Sequence, residues 1–422
     1  MYDVIVIGAR VAGAATAMLL ARRGANVLTV DKAAFPSDTL STHQVQLPGI
    51  AKLERWGLLS RIAAAGTPAT RRVRFDSGGV VLEGTYPEFE GVDAVYSPRR
   101  TLLDTILVEA ARESGADVRE RFAVEEVVVK DGRVTGVRGR EPSGSTVIES
   151  ARIVVGADGR HSPLAKAVGP RTYHGKAPLT FAYYTYWAGL PVDGGEIYGR
   201  DRRLIGAWPT NDGLVMTYLA WPSARFDEFR ADPEGNFLRT LDAVGLGERI
   251  RAGRRAERFR GSPDLPSYFR KPHGPGWALV GDAGLLLDPI TGQGIGDAFR
   301  DAELLASAVV AGLGGDRPPA KALAGYQRAR DRAARPMYDF TVRLAALIPP
   351  RREEMALFEA LSRSQPDADR FIAMLAGVVP VREFMSPRTM VGLVGVRGFA
   401  RLALGPARRG RPAPGPERAR AA

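Results

Sequence analysis

The first thirty residues alternate between continuous apolar runs and a helix-like segment. YDVIVI at 2–7 is an apolar run of the buried-strand type, AATAMLLARR at 14–23 has helical character, and NVLTVD at 26–31 is an apolar run that ends in an acid. This order is the layout of a dinucleotide-binding βαβ unit. The turn reads GARVAG, so Gly8 and Gly13 take the first and third positions of the G-x-G-x-x-G fingerprint, and Arg10 takes the middle one. From this turn alone, an ordinary strand–helix pair with incidental glycines is an open alternative.

The apolar periodicity also predicts the helices and strands that follow, up to residue 172. Helical spacing recurs at 48–65 and at 100–114. Alternating apolar positions and glycine-rich turns predict a hairpin at 71–83, a meander with strands at 118–129, 133–139 and 146–150, and a further strand at 152–156.

The pattern changes at about Tyr173, where aromatic residues become frequent. LTFAYYTYWAGL and the segment around LVMTYLAW predict an antiparallel sheet inserted into a parallel one. Parallel α/β character returns with a strand at 277–281 and a helix at 293–311, and 324–405 is mostly helical by pattern. The Pro/Arg/Ala-rich tail is expected to be disordered.

These elements predict an α/β fold in which a Rossmann-like domain is split by an inserted sheet and followed by a helical C-terminus. The predicted dinucleotide-binding parts are 1–75, 100–172 and 266–323. The predicted substrate parts are an excursion at 76–99 and the antiparallel sheet at 173–265, and the remainder divides into a helical region at 324–406 and the tail at 407–422.

Composition narrows the classes of function. The net charge is +12, but the tail carries five Arg and one Glu and so supplies +4 of it, and no basic stretch is interleaved with stacking aromatics, so we expect no nucleic-acid binding. The chain has no Cys and four scattered His, which argues against disulfides and metal ligation. A strand at the first residues and the lack of a long apolar run predict a cytoplasmic location without a membrane span.

Two later motifs repeat the strand-then-acid arrangement. VVGADGRHSPLAK places Asp158 after an apolar strand, and WALVGDAGLLLDPITGQGIGDAF places Asp282 after another. In the second motif a glycine-rich turn then opens a helix at 292–296, whose backbone donors suit a pyrophosphate or a ring edge. Three strand ends that converge on one ligand are expected for a large, extended cofactor.

The order of motifs resembles the FAD-dependent aromatic hydroxylase family, the class A flavoprotein monooxygenases. The order is G-x-x-x-x-G, then R-x-x-L-D at 100–104, then GADG-x-x-S, then GDA-x(5)-P-x-x-G-Q-G. The resemblance implies a functioning FAD site and a reaction in which NAD(P)H reduces the flavin, O₂ forms a flavin hydroperoxide, and one oxygen passes to a small aromatic or polyene substrate. It implies cofactor contacts from Gly8, Arg10, Gly13, Asp31, Lys32, Arg100, Asp158, Gly159, Gly281, Asp282, Pro289, Gly292, Gln293, Gly294 and Ile295.

Departures from the family pattern keep other activities open. Gly284-Leu285 replaces a usual Ala-His, Ala165 stands at a usual Arg, and Gly296 replaces an Asn. The sequence DPIT at 288–291 is more similar to reductases of the geranylgeranyl type. Those reductases usually carry a Cys near the flavin, which this chain lacks. Related halogenases need a W-x-W-x-I-P motif and an active-site Lys, and the sequence shows neither. A flavin reductase or dehydrogenase acting on a carbon–carbon bond is the alternative, and a non-catalytic flavoprotein is a third reading.

Smaller candidates remain outside these motifs. The loop FPSDTLSTHQ at 35–44 is expected to approach the flavin, with Thr39, Ser41, Thr42 and His43 near the ring or the substrate, although a purely structural loop is the alternative. His161 and His174 are expected at surface or hinge positions. The apolar stripe at 390–404 fits a helix packed on the body better than a membrane-surface helix. The sequence leaves the oligomeric state open, with a monomer and a homodimer as the two candidates. The substrate-pocket candidates are Tyr183, Trp187, Trp208 and Tyr218, of which not all are expected to line the pocket.

Overall fold

A computed structural model describes residues 1–404, and the predicted disordered tail at 407–422 lies outside the described residues. The helices are α1 Val11–Ala21, α2 Leu47–Arg55, α3 Leu59–Ala64, α4 Arg100–Glu113, α5 Pro163–Val168, α6 Phe226–Ala231, α7 Pro233–Asp242, α8 Leu246–Arg251, α9 Gly294–Leu313, α10 Pro319–Ala345, α11 Arg352–Ser362, α12 Gln365–Leu375, α13 Val381–Phe384 and α14 Pro387–Leu404.

The strands are more numerous and shorter. They are β1 Tyr2–Ile7, β2 Val27–Val30, β3 Ala69–Thr70, β4 Arg72–Ser77, β5 Val80–Thr85, β6 Val95–Tyr96, β7 Asp117–Arg119, β8 Ala123–Lys130, β9 Arg133–Arg140, β10 Thr146–Gly156, β11 Thr172–Lys176, β12 Thr180–Ala188, β13 Gly195–Arg200, β14 Arg203–Pro209, β15 Leu214–Pro222, β16 Arg254–Arg255, β17 Arg260–Ser262, β18 Ser267–Arg270, β19 His273–Gly274, β20 Trp277–Leu279 and β21 Leu285–Leu286.

A parallel sheet with the order β20-β10-β1-β2-β7 forms the centre of the fold. Side chains of β1 alternate between two cores: Val4 and Val6 face α1, α4 and α9, whereas Ile5 and Ile7 face the β8–β9 meander. The predicted Rossmann-like α/β core is therefore confirmed. The predicted strands 146–150 and 152–156 are one strand, β10, whose first half pairs antiparallel with β9 and whose second half pairs parallel with β1.

The inserted sheet has the order β16-β12-β15-β14-β13-β4-β5 and is antiparallel except where β13 runs parallel to β4. The early hairpin β4–β5 therefore belongs to this sheet, and β4 begins at Arg72, ahead of the predicted domain boundary at residue 75. Helices α6–α8 cover one face of the sheet through Phe229, Phe237 and Leu241. The other face turns toward Ile290 and the end of α10.

The C-terminal helices pack on the body as the sequence predicts. In α14, Met390 is buried, and Leu393 and Phe399 pack against the main core, which favours the packed helix over the membrane-surface alternative. No helix among residues 1–404 combines the length and the apolar character that crossing a bilayer would require.

Candidate functional site

Three strand ends meet at one edge of the parallel sheet. Gly156 of β10 pairs with Ile7 of β1 on one side and with Leu279 of β20 on the other. The chain segments that follow these strands therefore emerge together and line a cavity of about 610 Å³. This volume lies within the usual range for cofactor sites. The convergence is the one that the glycine turn after β1 and the two later strand-then-acid motifs predict.

The glycine turn after β1 allows close packing. Gly8 has φ +98°, and a Cβ atom there would approach the carbonyl oxygen of Ala157 to 2.8 Å. A Cβ atom on Gly13 would lie only 1.7 Å from the carbonyl oxygen of Gly8, and Gly13 in the structure lets α1 start directly against the turn. The first turn of α1 has no side-chain cap, and Val11 and Ala12 line the cavity. Unpaired N–H groups of this kind bind anionic phosphates.

Arg10 fits the middle position because its backbone is ordinary. Its φ of −83° and ψ of −164° are extended values that any residue adopts. The side chain leaves the turn and holds two distant segments: Nη1 donates to Asp104 at 2.7 Å, and Nη2 donates to the hydroxyl of Ser37 at 2.9 Å. The guanidinium also lies 5.4 Å from the ring centre of Phe35. Arg10 therefore ties the loop at 35–44 to the glycine turn while it lines the cavity.

Asp31 and Lys32 close β2 and line the same cavity. The carboxylate of Asp31 accepts the N–H of Ala9 at 2.7 Å through one oxygen and the N–H of Ala33 at 2.8 Å through the other. These two bonds fix the carboxylate beside the glycine turn. Each oxygen has a further lone pair, so Asp31 could also accept a ribose hydroxyl.

Arg100 is the first residue of α4, which packs beside α1, and it lines the cavity. It is buried, and its guanidinium donates to Asp104 one turn later through both Nε and Nη2. Asp104 is completely buried and is shared by Arg10 and Arg100. The two guanidinium groups and the one carboxylate of this cluster carry a combined charge of +1.

Asp158 carries the clearest sign of a missing partner. Both carboxylate oxygens of Asp158 are buried, and neither accepts a hydrogen bond from the nearby Ser162 hydroxyl or from any other described residue. Burial raises the pKa of Asp158 to about 6. Buried polar atoms in folded proteins are almost always paired, so an orphaned carboxylate indicates a ligand. Gly159, with φ +80°, follows it at the cavity.

Gly281 and Asp282 form the third strand end. Gly281 has φ +60°, and a Cβ atom there would lie 2.7 Å from the methyl group of Ala12. The carboxylate of Asp282 opens into the cavity but has dense protein on its other sides, and this desolvation raises the pKa of Asp282 to about 6. Asp282 is therefore placed to accept hydroxyl groups of a bound ligand.

All but one of the predicted residues in and after the turn before α9 line the cavity. Pro289, Gly292, Gly294 and Ile295 line the cavity, and the start of α9 has no side-chain cap. The side chain of Gln293 points elsewhere and donates to the carbonyl oxygens of Thr291 and Leu375. The predicted cofactor contact of Gln293 is therefore not one of its side-chain amide, which ties α9 to the end of α12.

The loop at 35–44 approaches the cavity, but His43 does not. Thr39, Ser41 and Thr42 line the cavity. His43 has φ +60°, is fully buried, and stacks on Tyr186 of β12 with its Nε2 hydrogen-bonded to the tyrosine hydroxyl. Burial lowers the pKa of His43 well below its usual range, so the ring is neutral. The predicted flavin-proximal role of His43 is corrected: the ring anchors the loop to the inserted sheet.

A second, smaller cavity of about 50 Å³ adjoins the first. The two share Thr42, Gln44, Pro289 and Gly292 as wall residues. The walls of the small cavity, which we call the apolar pocket, come from β14 and β15, from β4 and the residue after β5, from the turn before α9, and from α10 and α12. The lining residues are Thr42, Gln44, Gln46, Val73, Phe75, Tyr86, Ile197, Leu204, Trp208, Tyr218, Pro289, Ile290, Thr291, Gly292, Leu344, Ile372, Leu375 and Ala376.

The aromatic candidates divide between the two faces of the inserted sheet. Trp208 and Tyr218 line the apolar pocket. Tyr183 and Trp187 lie on the opposite face of β12, where they pack against the cluster covered by α6–α8. Because side chains of a strand alternate, residues 184 and 186 face the pocket side instead. Tyr183 and Trp187 are therefore corrected from pocket residues to core residues.

Several wall residues have no counterpart among the predicted ones. Gln44 is the last residue of the predicted loop and Gln46 lies two residues further on, and this pair of glutamines at the end of a loop that approaches a ligand is a signal that could have been used. Phe75, Tyr86 and Ile372 come from segments far apart in sequence, and nothing local points to them. His161 lines the large cavity, whereas His174 is exposed away from it.

Comparison with known proteins agrees with this geometry. A family model described as "FAD binding domain" matches residues 1–217. The chain belongs to this family. The residues around the large cavity fit such a cofactor: the uncapped helix starts could donate to a pyrophosphate, Asp158 lacks a partner, and Asp31 and Asp282 could accept hydroxyl groups. The chain is an FAD-dependent oxidoreductase with an α/β FAD-binding fold.

Relatives of this flavoprotein have diverse activities. It is 27% identical to the digeranylgeranylglycerophospholipid reductase 2 of Methanothermobacter thermautotrophicus, over 77% of this chain and 82% of the relative. It is also 27% identical to the 12-dehydrotetracycline 5-monooxygenase/anhydrotetracycline 6-monooxygenase of Streptomyces rimosus, over 90% and 77%. The structure of the myxobacterial chondrochloren halogenase CndH superposes with a TM-score of 0.75 at 22% identity, covering 94% of each chain. The last likeness concerns the fold alone.

Proposed function

We propose that this flavoprotein is an NAD(P)H-dependent monooxygenase that hydroxylates or epoxidises a small aromatic or polyene substrate. The observation that carries the proposal is the apolar pocket, which adjoins the FAD cavity through Thr42, Gln44, Pro289 and Gly292. The family resemblance assigns Pro289 and Gly292 to the flavin ring. A substrate in this pocket would therefore lie beside the reactive part of the cofactor.

The chain supplies binding and exclusion of water, and FAD supplies the electron transfer to oxygen. NAD(P)H gives two electrons. One atom of O₂ enters the substrate, and the other leaves as water after a proton is taken up. The uncapped start of α1 would bind the pyrophosphate, and Asp282 would accept hydroxyl groups of the ribityl chain. The apolar walls formed by Trp208, Leu204 and Ile372 would keep water from the reacting atoms.

Two relatives have other activities, reduction and halogenation. For each activity, a residue that it usually requires is missing from this chain or from its pocket. Reduction of a double bond is the second candidate, favoured by the DPIT spelling at 288–291 and by the archaeal reductase relative. Against it, the chain has no Cys. Halogenation is disfavoured because no Lys is among the described residues that line the apolar pocket.

Isotope labelling of turnover tests the proposal. The FAD-loaded protein would be reduced anaerobically with NADH or NADPH and then given ¹⁸O₂ together with a panel of phenols and polyenes. We expect reduction by a nicotinamide and a product with one ¹⁸O atom, and a parallel reaction under nitrogen should give none. A hydrogenated product formed equally well without oxygen would move the assignment to the reductase. A flavin that neither nicotinamide reduces would favour a non-catalytic flavoprotein.

A further inference from the structure

The apolar pocket contains two polar atoms that have no partner. The hydroxyl of Tyr218, on β15, and Oε1 of Gln46, just before α2, are both buried and make no hydrogen bond with the described residues. Tyr218 is 2% exposed and Gln46 is 7% exposed. Both residues line the pocket. An unpaired buried polar group costs stability, so its presence in a ligand pocket indicates a partner supplied by the ligand.

The same pocket has no charged wall. None of the described residues that line it is Asp, Glu, Lys, Arg or His. The charged group that acts on Tyr218 is the buried carboxyl of Asp288, which adds to burial in raising the pKa of Tyr218 well above its usual value. An anionic ligand would therefore lose its hydration without gaining a counter-ion from the pocket walls.

We propose that the apolar pocket takes an uncharged, ring-containing substrate with a hydroxyl or carbonyl oxygen, and that Tyr218 and Gln46 recognise this oxygen function. The inference deepens the proposed function and rests on it only in taking this pocket as the substrate site. The Tyr218 hydroxyl can donate to the substrate oxygen, and Gln46 Oε1 can accept from a substrate hydroxyl. Carboxylates, phosphates and acyl thioesters of charged carriers are excluded from this pocket.

The volume of the pocket sets the scale of the probes. About 50 Å³ has room for only a few water molecules. A ring needs more space than this, and side chains of the C-terminal helices such as Leu344 and Leu375 would have to change rotamer to provide it. Single-ring probes are the appropriate first ligands for this reason.

The test uses three probes that share one ring: 4-methylphenol, toluene and 4-methylbenzoate. Their binding to the oxidised, FAD-loaded protein is measured by the change in the flavin absorption spectrum, without nicotinamide. We expect 4-methylphenol to bind roughly three- to tenfold more tightly than toluene. The benzoate should bind roughly tenfold or more weakly than toluene. Because no turnover occurs, failure of this inference is distinguishable from failure of the proposed reaction.

Variants then assign the preference to residues. Tyr218→Phe and Gln46→Met keep the size of each side chain, and each should reduce the preference for 4-methylphenol over toluene to within about twofold. Tyr183→Phe is the matched control, because Tyr183 lies in the same sheet but on the face that packs under α6–α8. It should leave the preference unchanged. FAD content confirms that each variant is folded.

Three outcomes would overturn the inference. Tightest binding of 4-methylbenzoate would show a cationic subsite. A preference for the phenol that survives both variants would remove Tyr218 and Gln46 from recognition. Absence of binding by all three probes would show that the pocket does not accept this substrate class.

Discussion

Gly13→Ala is the sharpest test of the FAD-site geometry. The added methyl group would lie 1.7 Å from the carbonyl oxygen of Gly8 and 3.2 Å from Cβ of Ala157. The first of these neighbours is backbone, so no side-chain rotation can relieve the overlap. Either α1 must move away from the turn after β1 or the turn itself must deform.

The magnitude follows from comparison with a helical glycine in open space. Gly325 lies inside α10, and a Cβ atom there would meet nothing closer than 3.9 Å. Gly325→Ala should therefore stabilise the protein by about 0.5–1 kcal/mol through helix propensity. Overpacking at Gly13 should instead cost about 1–3 kcal/mol or more. The same substitution at the two helical positions should thus shift stability in opposite directions.

Thermal unfolding of the two variants, with FAD removed and with FAD bound, measures the difference. We expect Gly13→Ala to unfold at a lower temperature than the wild type and to purify with little FAD, since the uncapped start of α1 would be displaced. Gly325→Ala should unfold at the same or a higher temperature with full FAD content. A Gly13→Ala protein with unchanged stability and full FAD would refute the close-packing argument.

Three further predictions concern charged residues at the cavity. Arg10→Gly restores the fingerprint glycine but removes the bonds to Ser37 and Asp104, so the ratio of FAD to protein after gel filtration should fall, and a higher ratio would contradict this. Asp282→Asn should also purify with less FAD, whereas Asp316→Asn at an exposed position should not. Burial raises the pKa of Asp158 in the folded protein to about 6, above its unfolded value, so this group alone should add up to about 3 kcal/mol to the stability of the FAD-free protein as the pH falls from about 7 toward 4. Asp158→Asn should remove this contribution from the pH dependence of thermal unfolding and leave those of Asp282 and Asp288, whose pKa values burial also raises to about 6; an unchanged profile would contradict the assignment to Asp158.

Local patterns were enough to predict the frame of the site. Parallel strands in a covered sheet read as short apolar runs, and β1, β10 and β20 do so. Because parallel strands end at the same edge of the sheet, the residues that follow them converge. The sequence alone therefore predicts that Asp158 and Asp282 lie in one cavity. These predictions rest on neighbours in sequence and on a fixed sheet geometry.

The direction of a side chain in the inserted sheet was not predictable in the same way. Both faces of β12 are aromatic, with Tyr183 and Trp187 on one and Tyr184 and Tyr186 on the other. Alternation separates the two sets but does not say which set faces the cofactor. That choice depends on α6–α8 covering the first face, a contact between segments about 50 residues apart in the chain. The direction of the Gln293 side chain was not predictable for a related reason, since its partner at Leu375 comes from a distant helix.

Arg10 shows what the fingerprint requires. The rule places glycine in the middle so that backbone can approach the pyrophosphate, and it is a statement about space. At residue 10 the backbone is extended, so a side chain is allowed provided that it leaves the cavity floor. The Arg10 side chain can point away from the turn because Ser37 and Asp104, 27 and 94 residues further along the chain, accept its hydrogen bonds. Arg10 therefore leaves the start of α1 uncapped and ties the glycine turn to the loop at 35–44, whose residues Thr42 and Gln44 line both cavities.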